Sequence, residues 1–400
     1  MMKAYSGSVL AQPIKIGQRQ APNRVVYQPM EANDADSLGR PTKRTIERYR
    51  RFAVGSPGMI FLEAITVSSE SRGRINQLSI NRQTESALKD LVTAMREANP
   101  DPLIIFQITH DGRQSGSFSR VVAAFAVDEP GVEMLTTKEL ETIRDQFVAA
   151  AAIVKAVGAD GIDFKHCHAY LCCEMLRPSN RRNDRYGGSF ENRTRFFRET
   201  TEKIKKEIND PSFILGCRVS VYEPQIGGFG TAGPYSDQQD LTESIAFARM
   251  MEEMGLHYID VTAGRPLSVP SRDKPEDVSL HFQLTERIKK SVAMRVIGSA
   301  YSLLREGNNK LPETDSSKKS FRYLAEKNIE EGKTDMVGIG RQSFADSMFA
   351  KKIIAGAADI NYCTLCSNCM KLLQNQKESG CVVYDEYYRD LLKDVLKNNG

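Results

Sequence analysis

Met336-Val337-Gly338-Ile339-Gly340-Arg341 decides the fold. A short apolar run, Met336–Gly338, passes through two glycines and an arginine straight into a segment of helical period, and it is the eighth run of its kind in the chain. Working back from it, the other strand candidates are Arg24–Gln28, Met59–Ala64, Leu103–Ile108, Gly161–Phe164, Ile214–Val219, Tyr258–Val261 and Arg295–Ile297. Amphipathic stretches lie between them, among them Thr136–Val157, Phe190–Ile208 and Asp240–Met254, with apolar residues at three- and four-residue steps. Eight strand–helix units predict an α/β fold, a (β/α)8 TIM barrel over most of residues 20–356. A doubly wound sheet competes, but no G-x-G-x-x-G turn follows the first strand, where a dinucleotide fold carries it. Longer insertions follow strand three (Asp111–Leu135), strand five (Tyr222–Asp237) and strand seven (Tyr301–Lys319). In a barrel all three emerge at the C-terminal face, where sites are built.

Composition excludes several function classes. The 400 residues carry 55 basic and 51 acidic side chains, a net charge of +4 that is too balanced for nucleic-acid binding. The longest apolar run, Phe147–Val154, is far too short to span a bilayer. The start, MMKAYSGSVLAQPIKIG, has no sustained apolar core of the secretory kind, so a cytoplasmic protein with reduced thiols is expected.

Those thiols are unevenly placed. Cys363, Cys366, Cys369 and Cys381 stand as C-x2-C-x2-C-x11-C, half of the chain's 8 cysteines. Four thiolates at this spacing suit an iron–sulfur cubane, and the same donor set also suits structural zinc. The tail beyond, Asp385–Gly400, reads as one amphipathic helix. The chain thus divides into a barrel, residues 1–356, and a C-terminal cysteine segment, residues 357–400.

The predicted strand ends are rich in polar groups. Strand seven runs into Gly298-Ser299-Ala300 and strand eight into Gly340-Arg341; barrels commonly bind phosphate there, through glycine backbone, helix N-terminus and a guanidinium. Tight turns alone also account for the glycines. Strand three leads into Gln107-Ile108-Thr109-His110-Asp111-Gly112-Arg113, strand four into Lys165-His166-Cys167-His168-Ala169-Tyr170, and strand five carries Arg218. Three of the 5 histidines fall at two strand ends, which points to function rather than packing.

The stretches NRVVYQPM (Asn23–Met30), QITHDGR (Gln107–Arg113), RPSNRRNDRYGGSFENRTRF (Arg177–Phe196) and DMVGIGRQSFAD (Asp335–Asp346), in that order, resemble the old yellow enzyme family of FMN-dependent oxidoreductases. The cysteine segment is similar to that of the iron–sulfur branch typified by bacterial 2,4-dienoyl-CoA reductase and trimethylamine dehydrogenase. The resemblance implies FMN, a [4Fe–4S] cluster on the four cysteines and NAD(P)H as electron donor. Pro29 and Met30 would pack on the flavin, Gln107 would meet its pyrimidine edge, Arg218 its N1 and O2, and Gly298, Ser299, Gly340 and Arg341 its phosphate. Tyr170 falls on the family's proton-donor tyrosine.

Two positions depart from the family pattern. Lys165 and His168 stand where a histidine followed by histidine or asparagine usually holds the substrate carbonyl, and a lysine is a stronger partner for a developing enolate. Glu31 stands where relatives often have Thr or Cys near the flavin C4 carbonyl, and its charge calls for a counter-ion, with Lys165 the candidate. The leading expectation is an ene-reductase acting on a small-molecule unsaturated carbonyl or enoate. An amine dehydrogenase or demethylase of the same branch and a flavin/iron–sulfur electron-transfer protein are the rivals. The chain has no Trp for an aromatic cage, and a cationic Lys165 would repel an alkylammonium. The branch's larger reductases continue into a second flavin domain and this sequence ends at Gly400, so either NAD(P)H reduces the flavin directly or a separate flavoprotein supplies electrons.

Overall fold

The computed structural model describes residues 7–264 and 275–398. All eight predicted runs are strands: β1 Val25–Tyr27, β2 Met59–Thr66, β3 Leu103–Thr109, β4 Gly161–His166, β5 Ile214–Tyr222, β6 Tyr258–Ala263, β7 Arg295–Gly298 and β8 Met336–Ile339. They pair in parallel and close into one barrel, β8 returning to β1 through Val337 against Val25 and Ile339 against Tyr27. Each strand is followed by a helix: α1 Lys43–Val54, α2 Glu85–Ala98, α3 Thr137–Ala156, α4 Phe190–Ile208, α5 Thr242–Glu253, α6 Pro275–Lys289, α7 Phe321–Glu330 and α8 Phe349–Ala355. The predicted helix boundaries hold within two residues because the caps are written locally. Thr136 accepts from Glu139 N while the Glu139 carboxylate accepts from Thr136 N, and Ser189 caps α4 by accepting from Asn192 N.

The strands are buried on both faces, as a helix-wrapped parallel sheet requires. Outward residues such as Ile104, Phe106, Ile162 and Phe164 pack under the helices in the main core. Inward residues Val26, Met59, Phe61, Leu103, Ile105, Ile214, Tyr258, Ile297 and Met336 fill the lower half of the barrel, plugged from below by Ile14, Ile16 and Ala21 of an N-terminal hairpin. Gly17 makes that hairpin's turn at φ 59°, and a Cβ there would sit 2.4 Å from the His257 ring.

Beyond α8 the chain forms α9 Asn368–Gln374 and α10 Glu386–Asn398. Helix α10 occupies the predicted tail; Asn399 and Gly400 lie outside the described residues. Leu372, Val382, Tyr388, Leu392 and Val395 give this segment a small core of its own, whereas Leu365 joins the barrel's. No described helix is long and apolar enough to cross a membrane.

Candidate active site at the barrel mouth

Side chains alternate across a strand, so positions two apart share the barrel interior. Halfway up, that interior changes from apolar to polar. Above Ile105 comes Gln107, above Tyr258 comes Asp260, and above Ile214 and Gly216 comes Arg218. These groups satisfy one another. Gln107 Nε2 donates to Asp163 Oδ2 at 2.8 Å, Tyr258 Oη donates to Asp163 Oδ1 at 3.1 Å, and Gln28 Nε2 donates to Asp260 Oδ1 and to Ser299 Oγ, both at 2.8 Å. Arg218 Nε lies 3.3 Å from Asp260 Oδ2. Burial, reinforced by the charge of Asp260, pushes the Asp163 carboxyl up to about 8. Burial also raises Asp260, to about 6, with Arg218 opposing.

One tier higher, Glu31 gathers the groups of the mouth. Its Oε1 accepts from Tyr170 Oη at 2.5 Å and from Lys165 Nζ at 3.1 Å, while Oε2 lies 3.2 Å from Arg74 Nε. Lys165 Nζ also stands 3.2 Å from the centroid of the Tyr170 ring. Burial alone would raise the Glu31 carboxyl, but Lys165, Arg74 and the tyrosine hydrogen bond outweigh it and hold it down at about 2. The same burial, with Glu31 and Asp111 as neighbours, drives the Tyr170 phenol well above its ordinary value. The mouth therefore holds a neutral phenol, an ionised carboxylate and two cations. Asp111, buried and with Oδ2 unpartnered, is raised to about 7, first by burial and then by Glu31.

Tyr170 reaches this place through a strained turn. His168 at φ 61° and Ala169 at φ 63° are consecutive left-handed non-glycine residues, and His168 N is tied to Ser220 Oγ at 3.1 Å. His168 Nε2 faces Thr262 Oγ1 at 3.5 Å; burial, then Arg218 and Lys165, keep its imidazole neutral. The other two strand-end histidines correct the sequence expectation. His166 points outward among Phe164, Phe197 and Phe247 as a core residue, and His110 Nδ1 accepts from Gly112 N at 3.2 Å in a buried turn.

At the ends of β7 and β8, the amides of Gly340 and Gln342 converge on one acceptor, Ser302 Oγ, at 3.1 and 3.4 Å. Such a pair of donors suits a phosphate oxygen. A Cβ at Gly340 would lie 3.0 Å from Met30 Sδ, so a side chain there would require Met30 to shift at the point where the β1 and β8 ends meet. Pro29, Met30 and Glu31 are half-buried at the β1 end and Gly298 is buried at the β7 end. The Ser299 hydroxyl is turned into the barrel toward Asp260 at 3.3 Å. Arg341 Nη1 donates to Ser367 Oγ at 3.2 Å, and its charge acts on the thiols of Cys363 and Cys369.

These residues fit FMN. Thr109 Oγ1 is buried without a hydrogen-bond partner, a Cβ at Gly340 would crowd Met30, and the Ser302 hydroxyl occupies the amides a phosphate would use. The cysteines are drawn into one neighbourhood: Cys363 feels the charge of Cys381 and Cys366, and Cys369 that of Cys363 and Cys366. All are reduced. Among the described residues no group of three or more His, Cys, Asp or Glu converges to hold a metal ion.

Sequence reasoning missed Gln28, Arg74, Asp163, Asp260 and Ser302. The sequence does carry a signal for the two aspartates, each a lone acid inside an apolar strand.

The fold and its mouth define a (β/α)8 enzyme with its polar groups crowning the C-terminal strand ends. Residues 9–359 match the NADH:flavin oxidoreductase / NADH oxidase family, and the chain belongs to that family of FMN-binding oxidoreductases that use NAD(P)H. It is 32% identical over 369 residues to an NADH oxidase of Thermoanaerobacter brockii, covering 88% of this chain and 52% of that protein. It thus spans about half that relative's length. It is 29% identical over 350 residues to an NADPH dehydrogenase of Bacillus subtilis, covering 85% of this chain and 92% of the other. Among solved structures, the complex of 2-naphthoyl-CoA reductase with 2-naphthoyl-CoA shares the fold at a TM-score of 0.81 and 24% identity, over 96% of this chain and 58% of that one.

Proposed function

We propose that this oxidoreductase reduces the C=C bond of an α,β-unsaturated carbonyl or enoate, with Tyr170 as proton donor to the α-carbon. The observation that carries the reading is the buried, neutral Tyr170 phenol held by Glu31 beside the Lys165 ammonium at the barrel mouth. Bound FMN would supply the hydride for the β-carbon. Its holders would be Pro29, Met30, Glu31, Gln107, Arg218, Gly298, Ser299, Gly340 and Arg341. Lys165, with His168 beside it, would stabilise negative charge growing on the substrate oxygen, and the tyrosinate left after proton donation would lie against Lys165. The Lys165 ammonium over the Tyr170 ring favours an enolate over an alkylammonium and so disfavours the amine-oxidising alternative.

The four thiols, Cys363, Cys366, Cys369 and Cys381, match a [4Fe–4S] donor set, and we assign them that role in a cytoplasmic protein reduced by NAD(P)H or by a partner flavoprotein. An anaerobic screen of enones, enoates and enoyl thioesters against the photoreduced protein, following flavin reoxidation, tests the main reading. Fast reoxidation by one of these classes supports it. An FMN-loaded protein inert to all three, but reduced by amines, would reverse it.

A further inference from the structure

The loop between the third and fourth cysteines is tied to both backbone segments that carry the Glu31–Arg74 ion pair. On the Glu31 side, Ser379 N donates to Ala32 O at 2.7 Å and Asn33 Nδ2 donates to Lys377 O at 3.2 Å. On the Arg74 side, Gln376 Oε1 accepts from Ile75 N at 2.9 Å and Gln376 Nε2 donates to Gly73 O at 3.4 Å. The two sides are joined as well, because Asn33 Oδ1 accepts from Asn76 N at 2.8 Å. Outside this clamp, Glu378 pairs with Arg44 at 3.0 Å and accepts from Tyr387 Oη at 2.7 Å.

Arg74 and Glu31 are still 23% and 13% exposed, and a partly wet ion pair between a long, flexible guanidinium and a carboxylate fixes little by itself. Gln376 anchors the backbone on either side of Arg74, alongside Gln77, which accepts from Gly73 N at 2.8 Å, and so fixes the point from which the guanidinium reaches Glu31. Gln376 makes the anchor while sitting at φ 55°, a left-handed conformation that glutamine rarely adopts and glycine adopts readily. Backbone ease alone would favour glycine at this position, so the clamping side chain is the feature that glutamine adds.

We propose that Gln376 is a positioning residue for the proton-donation step: it fixes Gly73–Ile75, so that Arg74 holds Glu31 and Glu31 holds Tyr170. The cysteine segment is then part of the mouth's construction. This inference rests on the reading of Tyr170 as the proton donor.

Gln376→Gly is the discriminating variant, because it removes the clamp while easing the backbone, so a slower enzyme is not a misfolded one. Reoxidation of the photoreduced protein by 2-cyclohexen-1-one should slow about 10- to 100-fold, the scale of loss when a reacting group is displaced by about an ångström. Reduction of the flavin by NAD(P)H should be unchanged, and amide exchange at Gly73–Ile75 should accelerate. Gln376→Glu, which keeps the acceptor for Ile75 N, should recover part of the rate. In a Tyr170→Phe background Gln376→Gly should add little. Reoxidation within twofold of the parent in Gln376→Gly, while Tyr170→Phe is slow, overturns the positioning role and leaves the proton donor standing. Fast reoxidation in Tyr170→Phe removes the proton donor and this inference with it, whereas unchanged amide exchange in Gln376→Gly overturns the clamp alone.

Discussion

The Tyr170 hydroxyl donates to Glu31 Oε1 at 2.5 Å, on the same oxygen that receives Lys165 Nζ. With the Glu31 carboxyl held at about 2, that acceptor carries no proton of its own near neutral pH. Glu31 therefore orients the phenol and cannot reload it. Asp111, at about 7 and with one oxygen unpartnered, is a buried acid of the mouth that does change charge near neutrality.

Tyr170→Phe should leave flavin reduction by NAD(P)H unchanged and slow flavin reoxidation by an unsaturated carbonyl by about 10²–10⁴, the usual worth of general-acid assistance. The ring that Lys165 covers is kept, so the substitution removes one proton and little packing. Stopped-flow measurement of the two half-reactions separates the outcomes. Equal slowing of both would indicate damaged architecture instead.

Glu31→Gln removes the one negative charge between Lys165 and Arg74 while keeping a side-chain acceptor for Tyr170. Two cations at the mouth would then favour an electron-rich flavin. The midpoint potential should rise, on the order of 30 mV for each ~1.4 kcal/mol of added stabilisation in a two-electron couple. Spectroelectrochemical titration measures it. A potential equal to the parent's would separate Glu31 from the flavin's electronics and leave it only its contact with Tyr170.

The barrel was legible because its strands are short apolar runs and its helices carry their own caps; local rules and the count of eight units agree with the global fold. The mouth was legible in part. Tyr170 falls on the resemblance's proton-donor position, Lys165 and Glu31 are departures from its pattern, and the structure brings the three together. Asp163 and Asp260 escape a reading of strand ends because they sit inside their strands, although a lone aspartate in Gly161-Ile162-Asp163-Phe164 breaks an apolar strand at an inward position. Arg74 had no such signal. It lies in a loop, and only the closure of β1 beside β2 brings it to Glu31. The strand-end histidines misled for the opposite reason: a two-residue period places Lys165 inward and His166 outward, and a tally of residue types ignores it.

Asp163→Asn should stabilise the flavin-free protein at alkaline pH. The native carboxyl is pushed up to about 8 against an ordinary value near 4. Between those values the folded state keeps a proton that the unfolded chain has released, so stability falls as pH rises through the window. The variant lacks this loss. Urea denaturation should find it more stable than the parent at pH 8, on the order of 5 kcal/mol, and much closer to it at pH 4. Parallel pH profiles for the two proteins would mean that Asp163 ionises normally within the barrel.

Arg341→Ala should weaken FMN retention by roughly 1.5–3 kcal/mol, the worth of a hydrogen bond to a charged group. The short helix that Arg341 opens is packed through buried Gln342 and Ser343, so the barrel should stay folded. Equilibrium dialysis against FMN gives the difference. Unchanged retention would leave Arg341 to the cysteine segment, where it already meets Ser367.

Cys366→Ser addresses the metal. Purified without oxygen, the parent should hold one FMN and about four irons with matching sulfide, since four cysteines of this spacing suit one cubane. Cys366 is exposed, so replacing its sulfur by oxygen leaves packing intact and acts on ligation alone. The variant should lose most of its iron and keep most of its FMN, because Gln107, Arg218 and the Gly340 turn all lie on barrel strands or at their ends. Iron and flavin leaving together would mean that the cysteine segment, through its contacts with Ala32 and Gly73, helps to close the flavin site. Zinc in place of iron in the anaerobic parent would assign the four thiols to a structural ion and remove any electron path through them.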